Sequence, residues 1–307
     1  MAAAQRVIPT TRLLNRSPDT TTFLKPCRSA GLDRYWNIPP RMFAPYLEKW
    51  SLQPDGERIV TRSSLLLPVR WRGLPAMLKV AREEEEKRGH LSMGWWAGRG
   101  AAEVYAAADD ALLVERSVSR RSLFHMAMTG SDEAATQTIC RTVAALHAPR
   151  DRPVPDLIPL ESWFAALAPA ARTHGGVLAH SLAAAEALFS DPYPAVVLHG
   201  DIHHGNILDF GARGWLAIDP KPVYGDPGYD YANLFCNPEL AVVTEPGRLQ
   251  RHLAIVAVAT GLAPRRILSW VLAYAGLSAA WFLEDDDDFD IEGEMLIARI
   301  AAAELDK

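Results

Sequence analysis

Apolar and polar positions change their period along this chain, and the changes divide it. Over residues 41–50, Met42, Phe43, Tyr46, Leu47 and Trp50 recur at helical spacing, which predicts a short amphipathic helix behind Pro39-Pro40. Pro54-Asp55-Gly56 then breaks the chain. From Arg58 the pattern becomes strand-like, with runs at 59–60, 65–71 and 74–80 and a turn at Arg72-Gly73. Residues 82–96 read as a helix. Two more strands, 103–107 and 111–116, are hairpinned through Asp109-Asp110. Five strands with one intervening helix predict a small mixed lobe.

After Ser117 the helical period dominates. Helices are predicted at 132–147, 160–171 and 174–189, and again from Tyr229, Pro246, Pro264 and Glu292. Short apolar runs around 196–219 interrupt them and read as buried strands. The fold class is therefore α+β: residues 39–116 form an N-terminal lobe, 117 opens a hinge, and 117–307 form a larger, mostly helical C-terminal lobe. No internal repeat is visible.

Composition narrows the function classes. With 307 residues, 49% of them hydrophobic, the chain can bury one large core or two modest ones. A net charge of -5 argues against nucleic acid as a partner. Cys27, Cys140 and Cys236 are odd in number and widely spaced, which fits neither a disulfide framework nor a cysteine zinc site and suits a reducing, cytoplasmic setting. No apolar run approaches the length that spans a bilayer, so no membrane partner is expected. Residues 1–38 carry Arg6, Arg12, Arg16, Lys25, Arg28 and Arg34 among many Ser and Thr. Such a segment superficially matches a transit peptide; we read it as a disordered extension.

Candidate chemistry is concentrated between Val197 and Pro220. Asp201, Asn206 and Asp219 lie between apolar strands, in Leu198-His199-Gly200-Asp201-Ile202-His203-His204-Gly205-Asn206 and Ile218-Asp219-Pro220. Phosphoryl transfer from a metal–nucleotide needs such a set: one Asp near the attacking hydroxyl, then an Asn and a second Asp for magnesium. The protein-kinase element H-R-D-x-x-x-x-N has the same five-residue offset. Asp201 is thus the expected catalytic residue, and Asn206 and Asp219 the expected ligands of Mg2+ on a bound nucleotide.

Upstream, Lys79 ends the third predicted strand, where a lysine would neutralise phosphate oxygens and need a carboxylate from the following helix. Glu83, Glu84, Glu85 and Glu86 all compete for that place. No G-x-G-x-x-G precedes Lys79; the loop offers Ser63 and Ser64, with backbone N–H groups, to cradle phosphate. Glu115 and Ser117 fall where a hinge would meet the adenine edge. His199, His203 and His204 raise a zinc alternative, but they lie in a loop with no further ligand at motif spacing. Of these, His199 is expected to shape the loop and His203 to support Asp201 or face the acceptor. Glu284 opens a run of five acids that ends at Asp288 and could attract a polycationic substrate.

These motifs resemble the aminoglycoside/hydroxyurea antibiotic resistance kinases, in particular their streptomycin 6-kinase branch. The resemblance runs from about residue 40 to the C-terminus. It is carried by L-H-G-D-I-H-H-G-N-I-L, R-G-W-L-A-I-D-P, G-Y-D-Y-A-N-L-F-C-N-P and G-L-S-A-A-W. It implies a protein-kinase-like bilobal fold and ATP- and magnesium-dependent phosphorylation of a hydroxyl on streptomycin or a similar cationic aminoglycoside. It selects Glu86 as the partner of Lys79 and makes Asp230 a brace for the catalytic loop; His203, Trp281 and Glu284 are the candidate acceptor contacts. The basic extension, Pro220-Lys221-Pro222 and the expanded acidic run depart from the pattern. Acceptor identity stays open: a sugar, a choline-like or homoserine-like alcohol or hydroxyurea would suit the same fold, and a kinase-like binding module without turnover is the alternative from another class. A monomer is expected.

Overall fold

The computed structural model describes residues 42–61, 63–108, 110–284 and 291–307. The 1–38 extension falls outside them. Helix α1 (Ala44–Lys49) leads into the strands β1 (Gln53–Pro54), β2 (Ile59–Val60), β3 (Ser64–Trp71) and β4 (Leu74–Ala81). Helix α2 (Glu84–Trp96) follows, then β5 (Val104–Ala108) and β6 (Ala111–Glu115). The five expected strands are present, and β1 adds a sixth at the edge, pairing antiparallel with β3 as Gln53↔Arg70 and Pro54↔Val69. Proline is tolerated at a sheet edge, where its missing N–H costs no ladder bond. Sheet order is β1-β3-β4-β6-β5, with β2 also on β3. Phe43, Leu65, Val69, Leu78, Val80 and Leu113 form this lobe's own core.

The helical lobe runs through α3 (Leu123–Met128), α4 (Asp132–His147), β7 (Ile158–Pro159), α5 (Leu160–Trp163), α6 (Leu167–His174) and α7 (Gly176–Ser190). The single helix expected over 160–171 is thus two. The chain continues through β8 (Val196–Leu198), β9 (Ile207–Asp209), β10 (Trp215–Ala217), β11 (Val223–Gly225) and α8 (Tyr229–Ala232). Helices α9 (Leu240–Val243), α10 (Arg248–Thr260), α11 (Pro264–Glu284) and α12 (Ile291–Leu305) complete it. A second core holds this lobe together, centred on α11 and the aromatic contacts of Trp270 with Phe164, Phe189 and Tyr229.

Helix α11 corrects one expectation. At 21 residues it is long and apolar enough to cross a membrane, yet 78% of its apolar window is buried inside the protein. That burial suits a core helix, whose apolar residues are covered by neighbouring helices.

Two short sheets aim the chemistry. The hairpin β9–β10 pairs Ile207↔Ala217 and Asp209↔Trp215, and the next bond, from Ile218 N–H to the Asn206 carbonyl at 2.9 Å, brings Asn206 beside Asp219. Strand β11 lies antiparallel to β8 and parallel to β7, so the segment after Asp219 returns alongside His199. The Lys221 N–H donates to the His199 carbonyl at 2.7 Å.

Candidate active site

Lys79 sits on a central strand, paired with Leu66 of β3 on one side and Leu112 of β6 on the other. Alternation along β4 sends Ala76, Leu78 and Val80 into the lobe's core. Lys79 therefore faces the opposite side, toward the cleft. Its ammonium contacts both Glu86 Oε2 and Asp219 Oδ1. Burial alone would depress the Lys79 pKa, but the carboxylates of Asp219 and Glu86 outweigh it and raise it.

Glu86 is 3% exposed, and three groups converge on it. Lys79 and the Ser64 hydroxyl (3.3 Å) share Oε2, and Lys221 Nζ lies 3.0 Å from Oε1. Burial would raise the Glu86 pKa, yet the two ammonium groups hold it below the usual carboxylate range. Glu85, the other contender, lies 3.0 Å from Lys221 instead, and burial raises its pKa despite that contact. Of the four glutamates, Glu86 is the one on Lys79.

Asp201 follows β8 and is buried. Two amides aim its carboxylate: Asn233 Nδ2 donates to Oδ1 at 3.0 Å and Asn206 Nδ2 to Oδ2 at 3.3 Å. Asn206 Nδ2 also donates to the Asp201 carbonyl at 2.9 Å, so the amide oxygen of Asn206 points the other way. Asp219 has φ +60°, a left-handed conformation that a non-glycine residue adopts at a cost and that is concentrated at functional sites. The hard oxygens of Asn206 and Asp219 fit magnesium, which binds through one or two protein oxygens and completes its shell with water and phosphate.

The histidines point in three directions. His199 accepts from the Asp201 N–H at Nδ1 (3.3 Å), so Nε2 carries the proton and donates to the Ile218 carbonyl at 2.8 Å. Its ring stacks on Trp96, and burial lowers its pKa, keeping it neutral. His203 accepts from the Gly205 N–H at 3.0 Å through Nδ1, which turns its protonated Nε2 toward Asp201 Oδ2, 3.9 Å away. His204 is buried beside Arg248 and Asp132, its pKa pushed down to about 3 by burial first. Among the described residues no group of three or more His, Cys, Asp or Glu could hold a metal ion.

Asp230 braces the loop from α8. Its Oδ2 accepts from the His199 N–H at 2.9 Å and lies 2.7 Å from His147 Nε2, while Oδ1 accepts from the Gly200 N–H at 2.8 Å. Gly200 has φ +79°, and a Cβ there would come within 2.8 Å of Lys221 Cβ, so the turn needs glycine twice over.

The remaining predicted residues spread out. Ser64 is turned to Glu86, and Ser63 is buried with its carbonyl accepting from Arg82 N–H at 2.8 Å. Glu115 pairs with Arg213, and its N–H donates to the Glu103 carbonyl at 2.8 Å. Ser117 donates to the Asp209 carbonyl at 2.6 Å. Their side chains thus tie the hinge to the helical lobe. Trp281 lies inside the core, 4% exposed and edge-on to Trp163. Glu284 is exposed at the end of α11, and the acids after it lie outside the described residues. Asn233, which aims Asp201, went unrecognised in the sequence. Its motif was visible, but no spacing rule links it to a residue 32 positions away.

A family model for aminoglycoside/hydroxyurea antibiotic resistance kinases matches residues 49–286. The chain belongs to that family. It is 48% identical over 244 residues to a streptomycin 3''-kinase from Klebsiella pneumoniae, covering 78% of this chain and 91% of the relative. A streptomycin 6-kinase from Streptomyces glaucescens is 30% identical over 260 residues, covering 80% and 83%. A hydroxyurea phosphotransferase from Kitasatospora aureofaciens is 29% identical over 286 residues, covering 89% and 81%. In fold, the chain is similar to an aminoglycoside phosphotransferase, APH(4)-Ia, solved with ADP and hygromycin B. The TM-score is 0.61 at 16% identity, with 84% and 96% of the two chains covered. Fold and family membership make the chain a kinase-like phosphotransferase.

Proposed function

We propose that this protein transfers the γ-phosphoryl group of ATP to a hydroxyl of streptomycin, the 3''-hydroxyl in preference to the 6-hydroxyl. The observation that carries the reaction type is the convergence of Lys79, Glu86, Asp201, Asn206 and Asp219 at one cleft. The 48% identity to a streptomycin 3''-kinase, against 30% to a 6-kinase, supports the choice of acceptor position. A net charge of -5 favours a cationic acceptor.

Lys79 neutralises phosphate oxygens while Glu86 holds its ammonium. The hinge at 115–117 presents backbone edges to the adenine, and the backbone around Ser63 and Ser64 covers the phosphates. Asn206 and Asp219 would hold magnesium, which would supply charge neutralisation on the phosphate oxygens. Asp201 accepts a hydrogen bond from the attacking hydroxyl and takes its proton as the new P–O bond forms and the bond to ADP breaks. Because a loose transition state leaves little charge on the nucleophile, the fixed aim of Asp201 matters as much as its basicity.

The test is ADP release with Mg·ATP and streptomycin, hydroxyurea, choline or a sugar as acceptor, followed by NMR assignment of the phosphorylated carbon. Streptomycin-dependent release with phosphate on the 3'' position is expected. Release dependent on hydroxyurea alone, or none with streptomycin, overturns the assignment.

A further inference from the structure

Helix α2 lies within the sheet lobe in sequence, between β4 and β5, but is fastened to the helical lobe. Its Met93 and Trp96 belong to the larger core. A Cβ on Gly89 would come within 2.4 Å of the Pro220 carbonyl oxygen, so α2 rests directly on the segment after Asp219. Arg88 donates to the Asp156 carbonyl at 3.1 Å, and Arg152 to the Gly94 carbonyl at 3.3 Å. At the centre of this contact is Lys221, 4% exposed, its backbone fixed by prolines on both sides and by the His199 carbonyl. Its ammonium lies 3.0 Å from both Glu85 Oε1 and Glu86 Oε1.

The two lysines on Glu86 are not equivalent. Lys79 is shared with Asp219 and must also serve phosphate oxygens when nucleotide binds. An ammonium drawn toward phosphate leaves Glu86 a buried carboxylate with less compensation, which favours displacement of α2. Lys221 approaches from the opposite lobe and engages the other oxygen of Glu86, so it can keep that charge compensated throughout. We propose that Lys221 is a positioning residue that locks α2 and Glu86 in the nucleotide-binding arrangement while Lys79 is engaged with phosphate. The lock is part of the resting fold and needs no activating modification. It rests on the nucleotide-binding reading of the site and not on the identity of the acceptor.

The experiment measures Mg·AMP-PNP affinity and amide hydrogen exchange over residues 84–96 in the full chain. Lys221→Met is expected to weaken nucleotide binding by about 10- to 100-fold, as loss of an outer-shell partner does, and to speed exchange in α2. Lys221→Arg is expected to restore much of both. Lys79→Met is expected to weaken binding while α2 stays protected, because Lys221 remains. Glu85→Gln keeps both lysines and Glu86, and covers the case in which Lys221→Met does not fold; it is expected to speed α2 exchange with a few-fold loss of affinity. Wild-type exchange and affinity in Lys221→Met or in Glu85→Gln overturns the proposal, as does equal loosening of α2 by Lys79→Met and Lys221→Met. None of these readouts needs an acceptor, so failure with streptomycin would refute the acceptor and leave the lock standing.

Discussion

Replacing Asp230 with asparagine keeps the side chain's shape and removes its charge, and the three donors around it set the cost. Oδ2 serves the His199 N–H and His147, and Oδ1 serves the Gly200 N–H. The best orientation of an amide keeps its oxygen in the place of Oδ2 and points its NH2 at the Gly200 N–H. One charge-assisted bond is lost, worth about 1.5–3 kcal/mol, and a buried N–H is left facing a donor at about 1–3 kcal/mol. The total, about 2.5–6 kcal/mol, is a large share of the roughly 5–15 kcal/mol that typically holds a protein folded. Urea titration of both proteins at pH 7 measures it. Burial works against the Asp230 charge, but His147 and the backbone donors outweigh it and hold the carboxyl below its ordinary 3.8. A depressed carboxylate stabilises the fold above its unfolded value and loses that contribution as pH falls through the folded value. The gap between wild type and Asp230→Asn is therefore constant from neutral pH to about 5 and narrows below 3.8. A gap under about 1 kcal/mol at pH 7, or one that does not narrow in acid, refutes the bracing role.

Asn233→Ala removes one of the two amides on Asp201 and is expected to lower kcat by about tenfold or more with nucleotide affinity retained, read by ADP release and AMP-PNP titration. Gly89→Ala places a methyl group against the Pro220 carbonyl and is expected to cost about 1–3 kcal/mol by thermal unfolding, with a raised KM for ATP. His204 has its pKa lowered to about 3, so the folded protein refuses a proton that the unfolded chain takes up near 6.5, and stability declines as pH falls from 6.5 toward 3. His204→Leu is expected to remove about 1 kcal/mol per pH unit from that decline, measured by urea midpoints between pH 7 and 5.

Much of this site was legible because its parts obey short-range rules. The Asp201-to-Asn206 spacing is set within one loop, and Lys79 stands out as a charge ending an apolar strand. Residues 132–147 declare a helix by period and bounds alone, and α4 has those bounds. What the sequence hid depends on contacts between distant segments. The competition among four glutamates is resolved only by where β4 and the loop after Asp219 place their lysines. Lys221 reads as an oddity two residues after Asp219 until the fold sets it 3.0 Å from residues more than 130 positions earlier. Strand β1 was masked by its proline, which a central strand would exclude and an edge strand admits. Trp281 suggested an acceptor contact as part of a distinctive motif, and packing against Trp163 gives it a place in the core.

The central claim is that Asp201 aims and deprotonates a streptomycin hydroxyl during phosphoryl transfer from ATP. Phosphostreptomycin formation, followed by mass spectrometry with saturating Mg·ATP, measures it in wild type and Asp201→Asn, alongside AMP-PNP affinity. Wild type is expected to add one phosphoryl group, and Asp201→Asn to do so about 10²–10⁴-fold more slowly with nucleotide affinity preserved. Phosphostreptomycin formed by Asp201→Asn within a few-fold of the wild-type rate, or none formed by wild type, would contradict it.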